Sequence, residues 1–199
     1  RVEMRLAVNA GSVLEDADQR GLAHFCEHMA FNGSEHFEKN ELISFLQSLG
    51  IQFGPELNAY TGYDATVYML TLPADNISTL DSGLLVMRDW AAGLSFDGEE
   101  IDKERGVILE EWRMGRGANQ RMWDKISPVF LKGSRYAERL PIGTREVIEG
   151  APYDTLKRFY RDWYRPDQIA LVVVGDMDPN DMEQRIRKQF SAIEMPDEV

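Results

Sequence analysis

The spacing of apolar and polar positions changes several times along this chain, and each change marks an element. Arg5-Leu6-Ala7-Val8 alternates polar and apolar before Asn9-Ala10-Gly11-Ser12, which predicts a strand closed by a turn. Gly21 to Phe31 predicts a helix stopped by Asn32-Gly33. From Lys39 to Leu49 the residues Leu42, Ile43, Phe45, Leu46 and Leu49 recur at helical spacing, and Gly50 supplies a stop. Ile51-Gln52-Phe53 and the β-branched, aromatic run from Thr66 to Leu72 predict strands.

Asp75 is placed to cap a helix that carries Ile77, Leu80, Leu84, Met87 and Ala91 on one face. A second helix starts near Glu99 and runs past Trp112, weakened by Gly115 and Gly117. Ser127 to Gly150 reads as mostly irregular. Tyr153 to Tyr164 is helical and ends before Pro166. Ile169 to Val174 is a buried strand closed by Gly175-Asp176, and an amphipathic helix from Pro179 to Phe190 follows. Strands and helices mix without a regular βαβ beat. The expected fold is therefore α+β, a mainly antiparallel sheet flanked by helices. No repeat or linker divides residues 1–199, so one domain is expected.

Bulk properties narrow the function without naming it. A chain of 199 residues can bury a core of its own. A net charge of −12 speaks against nucleic acid as a partner, because little here could neutralise a row of phosphates. No apolar run approaches the roughly 20 residues of a membrane helix. The single cysteine, Cys26, excludes an internal disulfide and leaves the compartment open, bacterial periplasm or cytoplasm included. The chain opens on Arg1 and enters strand-like sequence at once, which suggests a piece of a longer protein with any targeting signal upstream.

The chemistry concentrates in His24-Phe25-Cys26-Glu27-His28. Residues four apart stack on one face of a helix, so His24 and His28 can present imidazoles to one point. Glu27 lies close enough to reach a water at that point. Two His and a carboxylate with one position left to water is a catalytic zinc arrangement, and a nearby carboxylate can deprotonate the water. The order is the reverse of H-E-x-x-H. Cys26 points away from both histidines and reads as core packing. Glu104 lies along a helix side with Ile101, Ile108, Glu111 and Trp112; a carboxylate in such a stripe is costly unless partnered, and a metal bond would explain it.

Five segments, in order, resemble the N-terminal domain of the pitrilysin, insulysin and mitochondrial processing peptidase family, the inverted zinc peptidases. They are Arg20 to Met29, Asn58-Ala59-Tyr60-Thr61, Glu104 to Glu111, Leu140-Pro141-Ile142-Gly143-Thr144, and Tyr164-Arg165-Pro166 leading into Val172 to Asp176. The resemblance implies zinc held by His24, His28 and Glu104, with Glu27 as general base for peptide hydrolysis. It implies a supporting carboxylate at Asp97, and a substrate strand added beside Asn58-Ala59-Tyr60. It further implies a peptide or protein substrate and a second homologous domain or subunit across a chamber, so the isolated piece is expected to be a weak peptidase that self-associates. Two alternatives share the resemblance. One is a non-catalytic structural subunit, though this chain keeps all four motif residues. The other is an S-ribosylhomocysteine lyase, which takes a Cys as third ligand; Cys26 lies inside the motif and cannot serve.

Overall fold

Residues 1–38, 41–52 and 54–195 are described by the computed structural model of the chain. The first strand, β1 (Val2–Val8), buries Val2, Met4, Leu6 and Val8 and turns Glu3 and Arg5 outward, as its alternation dictates. β2 (Leu57–Thr61) and β3 (Thr66–Leu72) form a hairpin, and β4 (Ile169–Gly175) returns late in the chain. The order is β2-β3-β1-β4, with every neighbouring pair antiparallel. Register fixes the two faces. Met4 stands between Leu70 and Val173, and Leu6 between Tyr68 and Leu171, on the face turned to the helices. Arg5, Met69 and Val172 lie on the other face, which stays largely open.

Helices α1 (Leu22–Met29), α2 (Glu41–Ser48), α3 (Ile77–Ala92), α4 (Gly98–Met114), α5 (Ala118–Phe130), α6 (Arg145–Gly150), α7 (Tyr153–Trp163) and α8 (Pro179–Phe190) complete the described elements, apart from short 3₁₀ turns. The α+β expectation therefore holds. α3 packs on β1 and β3 and meets α8, while α1 is wedged between α7, α4 and the β2–β3 hairpin. Trp90, Tyr68, Phe25 and Phe159 are fully buried where these elements meet. Trp90 Nε1 donates to Ala30 O at 2.9 Å, tying α3 to the end of α1.

Several local expectations are corrected. Ile51-Gln52 is not a strand: Leu57 N and Glu56 N both donate to Gln52 O, which folds the segment into a turn, and the strand begins at Leu57. Phe53, in the same expected strand, and Lys39, the expected start of α2, lie outside the described residues. The cap of α3 is Asn76, whose side chain accepts from Ser78 N, rather than Asp75, which sits one residue too early. The long helix divides at Gly115-Arg116-Gly117. The next helix, α5, runs four residues into the Ser127 to Gly150 stretch expected to be mostly irregular, and α6 closes that stretch. Pro128 is tolerated in the last turn of α5, and Met122, Ile126, Val129 and Phe130 on that helix are exposed.

Candidate metal centre

α1 is positioned by groups outside its own sequence. Its N-terminal N–H groups need acceptors, and Glu15 provides them: the buried carboxylate accepts from Gly21 N and Ala23 N at 3.0 and 2.9 Å. Gly21 adopts a left-handed φ of 99° and packs against Gly143, where an added Cβ would lie 2.3 Å from Gly21 Cα. Only glycine fits either position. From this start the helix drives Phe25, Cys26 and Met29 into the core. The Cys26 thiol is fully buried and burial pushes its pKa well up, so it stays a protonated packing group.

His24 and His28 then share one face. Their rings meet edge to face with centroids 4.6 Å apart, and their Nε2 atoms lie 3.2 Å from one another. α4 delivers carboxylates to the same place. Glu104 Oε1 is 2.7 Å from His28 Nδ1, and its Oε2 accepts from Asn32 Nδ2 at 2.9 Å. Glu111, two turns on, puts Oε2 at 3.5 Å from His28 Nε2 and 3.7 Å from His24 Nε2. Glu104 is well enclosed, its side chain 13% exposed, while that of Glu111 is 50% exposed. Glu27 stands on the other side and accepts from Thr61 Oγ1 at 2.5 Å.

Electrostatics follow from this crowding. Burial alone would lower His28, but the hydrogen bonds it donates to the Glu104 and Glu111 carboxylates raise its pKa to about 9. Burial and the neighbouring His28 push His24 down instead. Burial also raises Glu27, partly offset by the Thr61 hydroxyl. Two imidazole nitrogens facing one another at 3.2 Å repel unless a proton or a cation lies between them. The donor set of imidazoles and carboxylates suits zinc, a borderline ion bound by nitrogen and oxygen. The residues present therefore fit the metal. The ligating atoms of His24, His28 and Glu111 all fall within 4.8 Å of one another, whereas Glu104 approaches from the Nδ1 side of His28.

These residues line one cleft of about 700 Å³ with Phe31, Ile43 and Val107. Asn58, Ala59 and Tyr60 border it on the edge strand β2. Ala59 faces the helices and the other two face away. The Ala59 N–H is held by Asn58 Oδ1 at 2.9 Å. Asp97 is placed elsewhere. Its Oδ1 caps α4, accepting from Glu99 N at 2.9 Å and Glu100 N at 3.2 Å, so its carboxylate is engaged by that helix end. Four residues of the site have no role in the sequence reading: Thr61, Glu111, Asn32 and Glu15. Strand alternation was the available signal for Thr61, since it puts that residue on the opposite face from Asn58 and Tyr60.

The insulinase (peptidase family M16) profile matches residues 1–136, and the profile of that family's inactive domain matches 151–198. The chain belongs to the insulinase family. β4, from the second matched range, is hydrogen-bonded to β1 from the first, so the two ranges share one sheet. Among curated insulinase relatives, the probable zinc protease PqqL of Haemophilus influenzae is 39% identical over 191 residues, 96% of this chain and 21% of the relative. The solved first half of the periplasmic protease PqqL from Escherichia coli superposes with a TM-score of 0.95 at 34% identity, covering all of this chain and 42% of that one. The ferredoxin protease FusC, solved with Arabidopsis ferredoxin, gives a TM-score of 0.91 at 33% identity, covering all of this chain and 22% of that one. The chain thus spans about a fifth of the length of the first curated relative it matches.

Proposed function

We propose that this chain is the zinc-bearing domain of a peptidase, with His24, His28 and Glu111 as ligands and Glu27 as general base. The observation that carries the reading is the meeting of two histidine Nε2 atoms at 3.2 Å, ringed by carboxylates, in a cleft bordered by an edge strand. Relatives named as zinc proteases support it. When bound, zinc supplies Lewis acidity that polarises a carbonyl and acidifies a water.

The protein's residues do the rest. Glu27, one turn on from His24, takes a proton from water and passes it to the departing amine. Asn32 holds one oxygen of Glu104 and so fixes the direction of the other. The free edge of β2 receives an extended polypeptide through main-chain hydrogen bonds, and Phe31, Ile43 and Tyr60 shape the spaces for its side chains. A protein substrate agrees with the ferredoxin held by the structural neighbour FusC. A second homologous domain facing the cleft would clamp that substrate and exclude water.

The choice of carboxylate follows from which side of His28 each one occupies. Glu111, rather than the Glu104 that the resemblance implies, puts an oxygen on the Nε2 side of both histidines and is the third ligand of this reading. Glu104, enclosed and oriented by Asn32, instead accepts from His28 Nδ1 and so turns the Nε2 of that ring toward the metal. The test of the function is Glu27→Gln in the zinc-loaded protein at its full natural length. Zinc content should stay at one per chain while peptide turnover falls by about 10²–10⁴-fold. Turnover at the parental rate would sink the assignment of Glu27.

A further inference from the structure

Thr61 closes strand β2, and its hydroxyl donates to Glu27 Oε2 at 2.5 Å. We propose that Thr61 is the positioning residue for the base: its hydroxyl holds the Glu27 carboxylate in one orientation, with Oε1 left to the cleft. The inference rests on the reading of Glu27 as the base. It goes beyond that reading by assigning the control of its geometry to the edge strand.

A glutamate side chain has three rotatable bonds, and its freedom works against any reaction that needs one oxygen at one place. Helix α1 fixes only the backbone of Glu27. The far end of the side chain needs a second anchor, and among the described residues Thr61 is its hydrogen-bond donor. The choice of group matters. A lysine or arginine would neutralise the base, whereas a hydroxyl donates one hydrogen bond and carries no charge. With Oε2 engaged in this way, Oε1 remains the oxygen free to accept a proton.

The anchor is itself fixed. Thr61 faces Thr66 across the hairpin, with the two Oγ1 atoms 3.5 Å apart. Thr66 is fully buried and donates to Ala10 O at 2.9 Å. Beyond it, Tyr68 and Tyr164 join their hydroxyls at 2.7 Å, and Tyr68 stacks on Trp90. Thr61 is β-branched, so its χ1 is stiff in a strand and the hydroxyl keeps its aim. The base is thereby referenced to the packed core rather than to a loop.

Thr61→Val keeps the shape and removes the donor, while Thr61→Ser keeps the donor and removes a methyl group. In the zinc-loaded protein at full natural length, Thr61→Val should lower kcat by about 10- to 100-fold with KM within about twofold. Zinc should stay at one per chain, and Thr61→Ser should hold kcat within about threefold. A second readout needs neither metal nor turnover. In crystals of the zinc-free chain, the Glu27 side chain should occupy one rotamer in the parent and in Thr61→Ser, and several in Thr61→Val. Parental kcat in Thr61→Val, or a single unmoved Glu27 rotamer, overturns the proposal. So does a Thr61→Val protein whose loss of activity tracks loss of zinc or of fold. Glu27→Gln, run alongside, separates the two ideas: if it stays active the base is elsewhere, and if it is dead while Thr61→Val is active only the positioning role falls.

Discussion

Glu104 Oε1 meets His28 Nδ1 at 2.7 Å across 76 positions of sequence, and this contact joins α4 to α1 at the centre of the cleft. His28 therefore has a carboxylate at each nitrogen, Glu104 at Nδ1 and Glu111 at Nε2. The two glutamates make different predictions. With Glu111 as the ligand, Glu111→Gln should weaken zinc binding by at least about 100-fold and Glu104→Gln, which orients His28, by about 10-fold. Competition titration against a chromogenic chelator measures both, and the reverse ranking would transfer the role to Glu104.

Asp97 offers a sharper distinction, because its two possible roles differ in what they stabilise. As a helix cap, Asp97→Ala should reduce stability by about 1 kcal/mol and leave zinc affinity within about twofold. A carboxylate supporting the metal site would instead lower affinity by about 10- to 100-fold. Urea unfolding and the same chelator titration, on one pair of proteins, decide between them.

Glu15 predicts a dependence of stability on pH. Burial raises its carboxyl from the ordinary 4.5 to about 8, against the opposing pull of the N–H groups of Ala23 and Gly21. Between those values the folded protein keeps a proton that the unfolded chain has released. The stability this brings is complete below about pH 4.5 and is lost as pH rises through about 8. Glu15→Gln cannot titrate, so the difference between parent and variant should change by up to about 4 kcal/mol over that range. Urea unfolding from pH 5 to 9 measures it, and parallel curves for the two proteins would refute the shift.

Helix α5 leaves Val129 and Phe130 more than three-quarters exposed, at 76% and 77%, beside Met122 and Ile126. Apolar stripes of this kind associate. The 199-residue chain should form dimers or higher species at micromolar concentration, and Val129→Glu with Phe130→Glu should raise the dissociation constant at least about tenfold. Light scattering across a dilution series is the check, and a monomer at all concentrations would remove the expectation.

The elements that could be read from sequence were those whose burial is decided locally. β1 and α8 follow from alternation and from helical spacing because each has one plainly buried face. α5 did not, although Met122, Ile126, Val129 and Phe130 fall at helical spacing, because Gly115 and Gly117 interrupt the pattern before it and Pro128 sits in its last turn. The same division runs through the site. His24, Glu27 and His28 are legible because one turn of helix joins them. Thr61, Asn32 and Glu15 act through tertiary contacts of 34, 72 and 8 positions, and no local period marks such partners.

The paired glycines at 21 and 143 bear on the order of events in the protein's life. α1 is secured at its start by that close contact and by Glu15, and at its end by Trp90, all outside the cleft. None of these fastenings involves an ion. The histidines are thus brought together by the packing of the polypeptide, unlike zinc fingers, where the metal does the gathering. Folding comes first and loading second, so a chelator should empty the centre and leave the architecture standing, ready to be filled again.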